Sequence, residues 1–169
     1  MSNPTISAYQ PNLNLLRSDL HQLLCVFSAS KSIHSRIEVE PDFVTKYLIF
    51  EQLENDSITE LLLSTAITLR VLDDREKGSL DCFSRYCGLL QEESKNPPES
   101  KCLTIREACN KIVHATEIEL ARDNISPDLN SLFPENSLFG TSQSKKKWTA
   151  TINIYEYVRE GMFGIGGIK

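Results

Sequence analysis

Arg106, Asn110 and His114 stand four residues apart within Leu103-Thr104-Ile105-Arg106-Glu107-Ala108-Cys109-Asn110-Lys111-Ile112-Val113-His114-Ala115. On an α-helix each four-residue step drifts by only about 40°, so the three side chains project along one stripe roughly 12 Å long. Ile105, Ala108, Ile112 and Ala115 form the opposing apolar face. A guanidinium, a carboxamide and an imidazole in a row make a candidate site, because imidazole is the side chain that changes charge near neutral pH. Arg70, Asp73 and Asp74 close an upstream helical run. In the bland reading they pair with one another as helix neighbours, or Arg106 pairs with Asp73 or Glu107 and the stripe is a packing device in which Asn110 satisfies a loop backbone. In the sharper one, a carboxylate faces the stripe and holds the imidazole in one tautomer.

The stripe needs a helix to carry it. Thr104 and Glu107 have the spacing of a capping box and Leu103 can staple against Ala108, so a helix starts here; Ile118 and Leu120 extend its periodicity to about Arg122. Upstream, Leu13, Leu16, Leu20, Leu23, Leu24 and Phe27 predict a first helix of about 15 to 18 residues, capped by Asn12 or Asn14. His21 falls on its more polar side. Ser28 to Glu40 reads as a serine-rich connector with room for a short strand. From Pro41-Asp42 to about Asp74, apolar residues recur as one long helix or as two joined near Asn55-Asp56-Ser57, where Ser57 and Glu60 form a second capping-box pattern. The half from Ser57 to Asp74 is apolar on much of its circumference and is expected to be the central buried helix. Gly78 to Leu90 fits a short helix or an irregular apolar segment, and Gln91 to Lys101, with Pro97-Pro98, is a loop.

After Asn124 the composition shifts. Trp148-Thr149-Ala150-Thr151-Ile152-Asn153-Ile154 alternates and is rich in β-branched residues, which predicts a strand, with Ser137 to Thr141 as its partner. A short helix over Tyr155 to Glu160 follows, and the glycine-rich tail from Gly161 is expected to form no stable element. The fold class expected is therefore mainly α: a small helical bundle of three to four main helices with a C-terminal β-hairpin or short two-stranded sheet. One domain is expected over 1–169, made of a flexible arm (1–11), the helical bundle (12–124) and a hairpin-containing extension (125–169).

The 169 residues, two fifths of them apolar, suffice for one sizeable core. A net charge of −5 argues against a general nucleic-acid coating protein. No segment has the roughly 18 apolar residues of a membrane span, and the N-terminus lacks a signal-peptide pattern, so a cytoplasmic protein is expected. Cys25, Cys82, Cys87, Cys102 and Cys109 form no disulfide framework and read as reduced thiols; neither a metal nor another cofactor is expected. Cys109 borders the apolar face and reads as a small buried hydrophobe. Lys145-Lys146-Lys147 beside Trp148 is either a phosphate-tracking patch with an aromatic platform or a solvated turn with the indole in the core.

Long antiparallel helices followed by a helix ending in Asn110-Lys111-Ile112-Val113-His114 resemble the HEPN superfamily, which includes metal-independent endoribonucleases, toxins, antiphage proteins and noncatalytic binding domains. The resemblance covers roughly residues 12 to 120. The family motif has Arg, four to six residues, then His, often with Asn directly after the Arg. Here Cys109 occupies the usual Arg position and Arg106 is the nearest arginine. The resemblance implies RNA transesterification, with His114 as the base for a ribose 2′-hydroxyl, Asn110 orienting, and Arg106, or less suitably Lys111, stabilising charge on the phosphate. It also implies a homodimer in which the helices carrying Arg106, Asn110 and His114 face each other, so that a partner's Arg106 compensates for the spacing. Two function classes stand: a HEPN-like ribonuclease or stress or defence effector with an RNA substrate, and a noncatalytic helical module for dimerisation or for binding nucleic acid or protein.

Overall fold

Leu16, Leu20, Leu23 and Phe27 alternate steps of four and three along one face of the first helix, and all are buried. The series does not stop there. Ser30 and His34 continue the same spacing, and both are fully buried as well. In this computed structural model, which describes residues 10–37, 43–76, 78, 80–92, 99–126, 129–141 and 147–166, α1 therefore runs over Leu13–Ile37. Asn12 caps it by accepting hydrogen bonds from the Asn14 and Leu15 amides. The expected helix of 15 to 18 residues is thus 25 residues long, and the supposed connector is largely its last turns.

α2 is one unbroken helix, Phe43–Arg75. The Ser57–Glu60 pattern lies inside it, where preceding carbonyls already satisfy the backbone amides that a cap would serve. A 3-10 turn over Asp81–Ser84 leads to β1 (Tyr86–Glu92) and β2 (Glu99–Thr104), which pair antiparallel. α3 (Ile105–His114) starts on the expected capping box: the Glu107 amide donates to Thr104 Oγ1 at 3.2 Å, and the Thr104 amide donates to Glu107 at 3.1 Å. β3 (Glu117–Ser126), β4 (Leu129–Thr141) and β5 (Lys147–Asn153) follow, then α4 (Ile154–Gly166).

The mainly α expectation is corrected by these elements. Among the described residues, four helices pack on a five-stranded antiparallel sheet of order β2-β1-β5-β4-β3, an α+β architecture. Ser137 to Thr141 does pair with β5, from Ser137 opposite Thr151 to Thr141 opposite Lys147. Those strands nevertheless form the middle of a larger sheet: β1 adds to the far side of β5 and β3 to the far side of β4. The third helix was expected to reach Arg122 and instead ends at His114. Ile118 and Leu120 are two apart, a strand period, and the Thr116 amide is drawn to the Phe139 carbonyl at 2.9 Å, which starts the ladder with β4.

Trp148, Ala150 and Ile152 alternate inward from β5 and meet the helices, while Thr149, Thr151 and Asn153 are half-exposed. The core joins these residues and Leu138 of β4 to Leu20 and Leu23 of α1, Leu62 and Leu69 of α2, Ile105 and Cys109 of α3, and Tyr157 of α4. α4 extends through the glycines expected to end it. Gly161 lies against Leu20 and Leu69, and Gly164 lies so close to Cys82 that a Cβ there would overlap the sulfur. Close tertiary packing outweighs the low helix propensity of glycine. Of the arm 1–11 only Gln10 and Pro11 belong to the described residues; Pro97, Pro98, Lys145 and Lys146 lie outside them.

Candidate functional site

α3 delivers Arg106, Asn110 and His114 to different surroundings. Ala108, Cys109 and Ile112 are buried and fix the helix orientation. Arg106 is ion-paired with Asp73, and its Nη2 donates to Asp74 Oδ1 at 3.0 Å. Both aspartates belong to the last turn of α2. Asp73 is 1% exposed, whereas the Arg106 side chain is 43% exposed. The guanidinium thus joins α3 to α2 as a strut. Asn110 is half-buried one turn on, and His114 is exposed in the final turn. Over the eight residues from Arg106 to His114 the helix rises about 12 Å and turns about 80° past a whole number of turns. Proximity to Asp73 and Asp74 therefore belongs to Arg106 and not to the imidazole.

A cavity of about 580 Å³ opens beside Arg106, lined also by Asp73, Asp74, Asp81, Phe83 and Ser84. Three carboxylates and one guanidinium leave its lining net negative, an unfavourable surface for a phosphodiester. Lys111, the other cation considered, sits over the Trp148 ring with Nζ 4.2 Å from its centroid. Partial burial lowers its pKa. Trp148 itself is buried, with Gly140 directly against its face, so the indole is part of the core rather than a platform for bases.

The buried thiols are poor nucleophiles. Cys109 is buried against Tyr157, 3.8 Å from the phenol oxygen, and desolvation pushes its pKa up to about 12. Burial pushes Cys82 up to about 11 and raises Cys87 further. All five cysteines are free. Among the described residues no cluster of three His, Cys, Asp or Glu is arranged to hold a metal, and no helix is long and apolar enough to cross a membrane.

Sequence reasoning missed a buried polar relay. His34 Nε2 lies 3.1 Å from both carboxylate oxygens of Glu54, and the His34 ring meets Tyr47 edge-on at 5.0 Å between centroids. Arg122 of β3 completes the relay, reaching Glu54 and Glu51 at 3.2 Å each and Asn55 at 2.8 Å. The signal that could have found His34 is the four-three spacing running on from Phe27 through Ser30. Enclosed as it is, this imidazole has no access to a substrate. Its relay ties α1, α2 and the sheet together.

The outer face of α2 was missed too. The half from Ser57 to Asp74 is buried on one side only, through Ile58, Leu62, Ala66 and Leu69. On the opposite side Ile49, Leu53, Leu63 and Ile67 are 54%, 55%, 42% and 46% exposed. These four aliphatic side chains form two exposed apolar pairs along the outside of one helix, with Asp56 and Glu60 between them; apolar exposure of this kind makes the face a candidate interaction site.

No protein-family model matches the chain, and no curated protein or solved structure matches it.

Proposed function

We propose that this chain is a noncatalytic protein-interaction module that acts through the outer face of α2. The observation that carries the reading is the exposure of Ile49, Leu53, Leu63 and Ile67 on the side of α2 opposite the core. The engagement of Arg106 by Asp73 and Asp74 supports it further, because a guanidinium already offset by two carboxylates is a weak stabiliser of phosphate charge. Within the resemblance to the HEPN superfamily, this is the noncatalytic branch. Five free cysteines fit a reducing, cytoplasmic setting.

A second reading rests on the solvent exposure of His114. It takes the chain as a HEPN-like ribonuclease with an RNA substrate, dimeric through α3, with Asn110 and a partner copy's guanidinium completing the site. Two measurements separate the readings. A photo-crosslinking side chain at position 63, introduced in the cells the protein comes from, is expected to give a discrete protein adduct that the same group at position 89, on the open sheet face, does not. Indistinguishable adduct patterns at the two positions, or none at 63, would refute the interaction reading. Cleavage of structured RNA in EDTA by the wild type and not by His114→Ala would replace it with the ribonuclease.

A further inference from the structure

Ile49, Leu53, Asp56, Glu60, Leu63 and Ile67 follow one another at intervals of four, three, four, three and four residues. Taking Ile49 as the origin, they lie within about 40° on either side of one line along α2, and the line is about 27 Å long. The buried residues Ile58, Leu62, Thr65 and Leu69 lie about 160° to 220° from it. An alternating three-four spacing is the seam that an α-helix offers to another α-helix. This seam has an apolar pair at each end and two exposed carboxylates in the middle.

We infer that the α2 seam binds one amphipathic helix of a basic partner protein, a helix with apolar pairs flanking two central lysines or arginines. The inference rests on the interaction-module reading and names the partner class for the same face. Charge complementarity decides the occupant. A second copy of α2 paired in parallel, or antiparallel about a two-fold near residue 58, sets Asp56 and Glu60 against the same acids of its mate. Like charges brought together in a helical seam disfavour that pairing. A two-fold centred on Leu63 and Ile67 leaves Ile49 and Leu53 beyond the end of the mate's α2, and one centred on Ile49 and Leu53 strands the other pair in the same way. A partner with apolar residues at i, i+4, i+14 and i+18 and basic ones at i+7 and i+11 satisfies all six positions together. Its apolar anchors supply affinity and its central cations fix the register.

The test uses the full chain and two synthetic 22-residue helical peptides, identical except that one carries lysine and the other glutamate at the two central seam positions, both with leucine at the four flanking ones. Binding is followed by fluorescence anisotropy at low salt. The lysine peptide is expected to bind wild type at least tenfold more tightly than the glutamate peptide. Asp56→Lys combined with Glu60→Lys is expected to invert the preference, and Leu63→Ser to weaken both peptides at least tenfold. All three seam substitutions lie on the exposed face, and circular dichroism checks that each variant remains folded. Equal affinity for the two peptides, or a preference that the double charge reversal leaves unchanged, would overturn the inference. So would a wild-type dimer in sedimentation that Leu63→Ser dissolves, which would assign the face to a second copy. If the peptides fail while the position-63 crosslink forms, the partner class falls and the interaction module stands; if both fail, the module falls with it.

Discussion

Replacing Arg106 by alanine separates a structural strut from an available cation. The guanidinium meets Asp73, whose carboxylate is almost fully enclosed, and also holds the exposed Asp74. Stranding a buried carboxylate costs about 3–5 kcal/mol where no water reaches it. Here the arginine side chain is 43% exposed, so solvent enters the space it vacates and the expected loss falls to about 2 kcal/mol. For a chain of this length that corresponds to a drop in Tm of about 4–8 °C. Arg106→Lys should cost about 1 kcal/mol, because one ammonium does not reproduce a planar fork spanning two carboxylates. Asp73→Asn in the Arg106→Ala background removes the stranded charge, so the double variant should be about 1 kcal/mol more stable than the sum of the singles. Urea unfolding with an unchanged m-value measures wild type, the three single variants and the double variant. Arg106→Ala within about 0.5 kcal/mol of wild type, together with simple additivity, would refute the strut and return the guanidinium to the list of groups free to meet a ligand.

Arg122→Ala should destabilise by about 3 kcal/mol, since it leaves the buried Glu54 with His34 but without its guanidinium and cuts the link from β3 to α2; an Arg122→Ala/Glu54→Gln double-mutant cycle with no coupling would contradict this. Thiol labelling of the native protein should modify Cys25 and Cys102 quickly, and Cys82, Cys87 and Cys109 only after unfolding. The buried thiols have folded pKa values raised above the ordinary value of 9.0, so the unfolded chain releases their protons first. Their contribution to stability is complete below about pH 9 and is lost as pH rises, at a rate approaching about 1.4 kcal/mol per pH unit for Cys109. Denaturant midpoints measured from pH 8 to pH 11 should fall for wild type and fall less steeply for Cys109→Ala.

Short-range patterns carried much of this architecture into the sequence. Thr104 and Glu107 specify the start of α3 because both hydrogen bonds of a capping box lie within four residues. The alternation of Trp148, Ala150 and Ile152 specifies the strand and its inward face because the period is set by backbone geometry alone. Arg106, Asn110 and His114 were legible as a stripe for the same reason. Their chemistry was legible only as alternatives, a site or a packing device with Arg106 paired to Asp73 or Glu107: Asp73 and Asp74, 32 or 33 positions earlier, decide that Arg106 is a strut, and helical spacing carries no information about an encounter with another helix.

Local spacing and caps determined where α3 begins, that Leu16 to Phe27 form an apolar face, and that β5 is a strand. The tertiary structure decided the rest. It turned residues 117–126 into β3 because β4 offered hydrogen-bond partners there, and it drew α4 through Gly161 and Gly164 because small residues let that helix pack closely. It kept Ser30 and His34 in α1, where the Leu132 amide donates to Ser30 Oγ and Glu54 meets His34 Nε2. It left one side of α2 outside, since a helix that is apolar around most of its circumference can be buried only on the faces its neighbours reach. Periodicity fixes which side chains share a face, whereas the partners that cover or satisfy that face come from distant parts of the chain.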